Sequence, residues 1–206
     1  MMKYPLTPLY RVLLGVAVIA AFPCLIAAPV NAQTYTADWD SLDQRKMPEW
    51  YLDAKFGIFI HWGVFSVPAW APKDMYAEWY WNWMQDKNGA TWAFHKKTYG
   101  ENFQYQDFAP LFKAEMFDPD QWADLFKKAG AKYVVLTSKH HDGFCLFPSP
   151  EANRSWGRKW NSVDIGPKRD LLGGLGEAVR GAGLKMGFYY SFYEWYNPLW
   201  VTDWRI

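Results

Sequence analysis

The stretch 132-KYVVLTSKHHDGFCLF-147 runs a short apolar, β-branched segment straight into a lysine, two adjacent histidines and an aspartate. Residues 132–138 have the composition of a strand buried on both faces of a parallel sheet. Just upstream, 118-DPDQWADLFKKAG-130 reads as a helix, with Asp118 as N-cap, Pro119 at N1 and Gln121 at N3 in a capping-box-like start. Trp122, Leu125 and Phe126 recur at helical spacing, and Gly130 marks the stop. Downstream, a helix from about Asp170 to Gly181 leads into a second buried strand, 184-LKMGFYYS-191. An earlier strand, 56-FGIFIHWG-63, follows a short helix at 48–54. The aromatic stretch 64–100 separates it from the rest, and within it 76-YAEWYWNWMQD-86 reads as helical.

Strand, helix, strand, helix, strand with glycine turns implies right-handed βαβ crossovers and a parallel sheet. The fold class is therefore α/β. In such folds ligands bind beyond the carboxyl ends of the strands. Those ends carry His61, then Lys139-His140-His141-Asp142, then Tyr189-Tyr190, and all three are expected at one face.

Residues 1–32 stand apart. Lys3 and Arg11 precede an uncharged apolar run from Val12 to Ala28, and Val30-Asn31-Ala32 offers the small residues of a signal-peptidase site. The pattern predicts a signal peptide cleaved before Gln33, hence a secreted or periplasmic protein, or one sent to a lysosome-like compartment in a eukaryote. A retained membrane anchor fits less well, because Pro23 interrupts the run. Cleavage would leave no membrane segment. It would also turn the net charge from +1 to −1, since the leader holds two cations and no acid. That balance gives no footprint for nucleic acid. Cys145 would be the single remaining cysteine, so no intrachain disulfide is expected. Aromatics make up 20% of the chain, which suits either an aromatic-rich core or faces that pack on sugar C–H groups.

Three chemistries compete for the strand ends. His61, His140, His141 and Asp142 are metal-ligand types, but adjacent histidines on an extended backbone point to opposite sides and rarely reach one ion. Nucleophilic catalysis by Cys145 is disfavoured by its apolar setting. A polyol needs several neutral donors and acceptors in fixed directions beside apolar faces, which imidazoles, Tyr and Trp supply. Glu78 beside Trp79 adds a carboxylate with a stacking face. No metal and no cofactor is implied by this reading.

The segments 56-FGIFIHWG-63, 77-AEWY-80, 132-KYVVLTSKHHDGFCLF-147, 161-NSVDIGPKRDLL-172 and 187-GFYYSFYEWYNP-198 resemble the family 29 glycoside hydrolases, the retaining α-L-fucosidases. The resemblance covers nearly all of residues 36–200. It implies a (β/α)8, TIM-like barrel, of which residues 33–206 would supply about the first three βα units. It makes His61, Glu78, Trp79, His140, His141 and Tyr189 the fucose-contacting residues. Tyr190 should face the other side of its strand. The family's nucleophile aspartate and acid/base glutamate fall later than Ile206, and neither role is carried onto Asp142, Glu194 or Asp203. The chain is thus expected to be a truncated, by itself inactive, part of an enzyme whose partner is a fucosylated glycan, with homo-oligomers possible for the full-length form. The alternatives are a non-catalytic carbohydrate-binding relic and a metal-dependent hydrolase.

Overall fold

The structure, a computed structural model, describes residues 34–199; the expected leader at 1–32 and the segment carrying Asp203 lie outside the described residues. The chain divides into two compact units, Met1–Lys46 and Met47–Ile206. In the first, α1 (Trp39–Leu42) is a single turn whose N-cap, Asp38, accepts from the Ser41 N–H.

In the second unit, α2 (Glu49–Ala54) leads into β1 (Gly57–Ile60). Single 3-10 turns at Val64–Ser66 and Ala77–Trp79 precede α3 (Tyr80–Trp83) and α4 (Ala90–Tyr99). A longer 3-10 segment, Tyr105–Leu111, follows, then α5 (Pro119–Lys128), β2 (Tyr133–Lys139), α6 (Pro150–Trp156), α7 (Leu171–Gly181) and β3 (Lys185–Tyr190). The strands pair in parallel in the order β1-β2-β3. Gly57, Tyr133 and Lys185 lie abreast, as do Phe59, Val135 and Gly187.

The helix starts are set by side-chain caps. Asp118 accepts from the N–H groups of Asp120 and Gln121 at the head of α5, and Asp170 accepts from Gly173 N–H at the head of α7. Strand β1 is shorter than its apolar run. Trp62 N–H donates to the Thr137 hydroxyl at 3.0 Å and the Trp62 carbonyl accepts from it at 3.1 Å, so the chain has left the ladder there. The helix expected over 76–86 is broken into a 3-10 turn and one α turn. Beyond Met84, the Asp86 carboxylate accepts from Asn88 N–H, a local bond that competes with helix propagation. Helices α4 and α6 were not expected. The buried face of α4 includes Thr91 and His95, which an apolar-periodicity reading scores as polar, and α6 is only seven residues long.

Alternation sorts the sheet into two unlike faces. Val134 and Leu136 are fully buried in one core cluster with Ala123 and Phe126 of α5 and Leu175 and Val179 of α7. The opposite face carries Phe59, which is 53% exposed, with Tyr133 and Val135 partly buried. A cavity of about 790 Å³ opens there, lined by Trp50, Tyr51, Phe59, Tyr133, Val135 and Gly187 among others. The strand read as buried on both faces is therefore covered on one only, among the described residues. Two substitutions on adjacent residues report that asymmetry. In urea denaturation of this chain, Leu136→Ala should lose about 3 kcal/mol, and Val135→Ala less than about 1 kcal/mol.

Candidate functional site

The site begins with an irregularity in β2. Thr137 lies opposite Tyr189 and Lys139 opposite Tyr190, so Ser138 is an extra residue against one step of β3. Its hydroxyl donates to the Tyr189 carbonyl at 2.7 Å, and its own carbonyl accepts from Leu146 N–H. In an unbroken strand Lys139 would share the face of Thr137, and His140 would take the helix-covered side. The bulge reverses this. The Lys139 ammonium lies 4.4 Å from the Tyr190 ring centre, on the same side as that tyrosine, and His140 turns toward His61 and Tyr189.

Three rings at the ends of three strands then meet. His61 and His140 have centroids 5.5 Å apart, His61 and Tyr189 5.8 Å, and His140 and Tyr189 6.0 Å. Phe65 packs edge-on against His140. His140 is buried and its Nδ1 makes no hydrogen bond among the described residues. Burial first, then the neighbouring His141 and His61, lower its pKa to about 3, so it is a neutral imidazole at physiological pH. His141 does not point to the opposite side from His140, as alternation would have it. The two rings stand 4.9 Å apart and both pack on Trp195, because β2 ends at Lys139 and the chain turns, with Gly143 N–H bonded to the His140 carbonyl. Gly143 takes φ +74°, and a Cβ there would lie 2.5 Å from the Trp156 indole nitrogen, so the turn requires glycine.

The segment after β3 closes this wall. Lys139, which is buried, forms an ion pair with the partly buried Glu194. The same carboxylate accepts from Trp156 Nε1 at 3.0 Å and Asn197 Nδ2 at 2.5 Å. With Glu194 held, Trp195 lies 5.0 Å from both Trp79 and His141. Ser191 Oγ is 2.6 Å from His141 Nδ1, and the Tyr193 carbonyl 2.9 Å from it.

Of the residues singled out in the sequence, His61, Trp79, His140, His141 and Tyr189 are joined by ring contacts into one cluster. Tyr190 lies on the other face, beside Lys139 and Phe192. Glu78 sits one residue before Trp79 on the 3-10 turn, partly buried, with no hydrogen bond or ion pair to another described residue. Trp195, Ser191 and Phe65 were not singled out. The signal for the first two was the density of aromatic and polar residues in 190-YSFYEWYNP-198. The fourth histidine, His95, belongs to the core, where Tyr80 Oη and the Phe103 carbonyl occupy both its nitrogens. Among the described residues no group of three or more His, Cys, Asp or Glu is arranged to hold a metal ion. Burial pushes the Cys145 thiol up to about 12, which makes it a poor nucleophile.

A family profile described as Alpha-L-fucosidase matches residues 24–206. The tissue α-L-fucosidase of Mus musculus is 51% identical over 178 residues, covering 86% of this chain and 37% of that protein. The α-L-fucosidase of Dictyostelium discoideum is 47% identical over 189 residues, covering 90% of this chain and 40% of that one. A crystal structure of the Thermotoga maritima α-fucosidase in complex with fucose superposes with a TM-score of 0.71 at 54% identity, covering 79% of this chain and 39% of that one. The chain spans well under half the length of these relatives.

Asp142 gives the site a pH signature. It accepts from Tyr105 Oη at 2.7 Å and from Phe144 N–H at 3.0 Å, but full burial outweighs these bonds and raises its pKa to about 6. A carboxyl raised in the folded state takes up its proton there before the unfolded chain does. Its contribution to stability therefore grows as pH falls through 6 and levels off near the unfolded value of about 4. Asp142→Asn does not titrate. Between pH 7.5 and 4.5, urea denaturation should show the parent chain gaining on this variant by about 2 kcal/mol.

Proposed function

The chain belongs to the α-L-fucosidase family, and on that premise we propose that it is the N-terminal part of a (β/α)8 barrel whose complete protein removes α-L-fucose from glycoconjugates with retention. Two features support the barrel. Neither β1 nor β3 has a strand partner on its outer edge among the described residues. The face bearing Phe59, Tyr133 and Val135 also lacks the cover that parallel sheets normally have. Closure into a barrel removes both edges and fills that face with side chains.

The meeting of His61, His140 and Tyr189 at the carboxyl ends of three parallel strands is the observation that carries the sugar reading. A pyranose has hydroxyls that both donate and accept, and patches of C–H that are apolar. Neutral imidazoles answer the first and the faces of Trp79 and Tyr189 the second. In this reading His61, Glu78, Trp79, His140, His141 and Tyr189 contact the fucosyl unit of a fucosylated glycan.

The bond-breaking step needs two carboxyl groups roughly 5–5.5 Å apart. One attacks the anomeric carbon while the other protonates the departing oxygen; water, deprotonated by that second group, then releases the sugar. Neither role is assigned to a residue of this chain. What these residues do is bind and orient the sugar and exclude water from one side of it. The leader at 1–32 fits export to the compartment where such glycans occur.

His140→Ala in the complete protein tests the reading. Hydrolysis of an aryl α-L-fucoside should fall about 100-fold, with a matching loss of L-fucose affinity by calorimetry, as expected for about 2–3 kcal/mol of buried polar contact. Metal content should not change. Stoichiometric zinc that leaves with the substitution would point instead to a metal-dependent hydrolase. Sugar binding without turnover in the parent protein would point to a carbohydrate-binding relic.

A further inference from the structure

We propose that Ser191 and the main-chain carbonyl of Tyr193 are positioning groups that lock His141 in its Nδ1–H tautomer, so that Nε2 meets the ligand as a hydrogen-bond acceptor. The three atoms form a closed triangle. Nδ1 lies 2.6 Å from Ser191 Oγ and 2.9 Å from the Tyr193 carbonyl oxygen, and Oγ lies 2.6 Å from that same oxygen.

One proton arrangement satisfies all three contacts. The carbonyl only accepts, so the serine hydroxyl donates to it. Nδ1 must then carry a proton, shared between Oγ and the carbonyl. A bare Nδ1 would set one lone pair against another at 2.9 Å. A histidine whose Nδ1 is protonated and whose ring is neutral has an unprotonated Nε2.

The groups packed on His141 are His140, Trp79, Tyr193 and Trp195, none of them anionic. Of the carboxylates next to those rings in the chain, Glu194 is engaged by Lys139, Trp156 and Asn197, and Glu78 adjoins Trp79. Nε2 itself makes no hydrogen bond to a described residue. Ring orientation is fixed as well, since the imidazole stacks on Trp195 at 5.0 Å with planes 28° apart.

The consequence is a selectivity rule for the ligand. A neutral acceptor takes a hydroxyl that donates, and it refuses a fluorine or an ether oxygen at the same place, which can only accept. The identity of the ligand rests on the sugar-site reading above; the tautomer does not.

The complete protein, labelled with 15N-histidine, allows the tautomer to be read without sugar through long-range proton–nitrogen correlations. At pH 7 His141 should show a protonated Nδ1 and an unprotonated Nε2. A protonated Nε2, as the other tautomer or as imidazolium, overturns the proposal. Ser191→Ala should turn that single state into a mixture and weaken L-fucose binding about tenfold. Ser191→Thr, which keeps the hydroxyl, should restore both. If Ser191→Ala leaves tautomer and affinity unmoved, Ser191 positions nothing and the proposal fails. If the parent protein binds no sugar yet shows the expected tautomer, the sugar reading falls and the assignment to Ser191 and Tyr193 stands.

Discussion

Between Thr137, opposite Tyr189, and Lys139, opposite Tyr190, β2 carries one residue more than β3 provides for. Every side chain beyond that point takes its direction from the extra residue, because the side-chain period of a strand is two. Without it, Lys139 would project beside Thr137, among the imidazoles. With it, the lysine goes to the helix-covered side and His140 comes to the side of His61 and Tyr189. The bulge is held at Ser138 by its side-chain hydroxyl, which donates to the Tyr189 carbonyl, and by its main-chain carbonyl, which accepts from Leu146 N–H. The site is thus a matter of phase, fixed by one residue at the sheet's carboxyl edge.

That same displacement makes the next layer possible. Lys139, sent outward, finds Glu194, and Glu194 gathers Trp156 and Asn197. An ion pair largely withdrawn from water adds little net stability over an apolar pair, because desolvation offsets the attraction, but losing Glu194 would leave the Lys139 charge buried and unpaired. Its value here lies in geometry. It ties the end of β2 to the segment after β3, and so delivers Trp195, Ser191 and the Tyr193 carbonyl to His141. The rings at the ends of β2 and β3 are thus tied together by contacts on the far side of the sheet from His61 and Tyr189.

The α/β class, the parallel order and the convergence of strand ends were legible because they rest on strong local signals: Asp118-Pro119 and Asp170 at helix starts, and β-branched runs at 132–138. The resemblance to α-L-fucosidases also lay open in HWG and KHHDGF. The bulge did not, since nothing in the composition of Thr137-Ser138-Lys139 separates a bulged strand from a regular one. The relation between His140 and His141 was misjudged for the same reason: alternation was applied to residues that had already left the strand. Ser191 and Trp195 were missed because their role depends on contacts fifty or more residues away, which no local pattern carries. Helix α4 was missed because two of its three buried residues, Thr91 and His95 beside Trp92, are polar in type.

The central claim is that the imidazole and tyrosine cluster at the carboxyl ends of β1, β2 and β3 is one wall of a fucose pocket. A crystal structure of the complete protein soaked with L-fucose tests it most directly. The expected result is a sugar ring within hydrogen-bond reach of His61, His140 and His141, with Tyr189 or Trp79 against its C–H face. A sugar bound elsewhere while these rings remain in contact only with one another, or a metal ion held between His61 and His140, would contradict it.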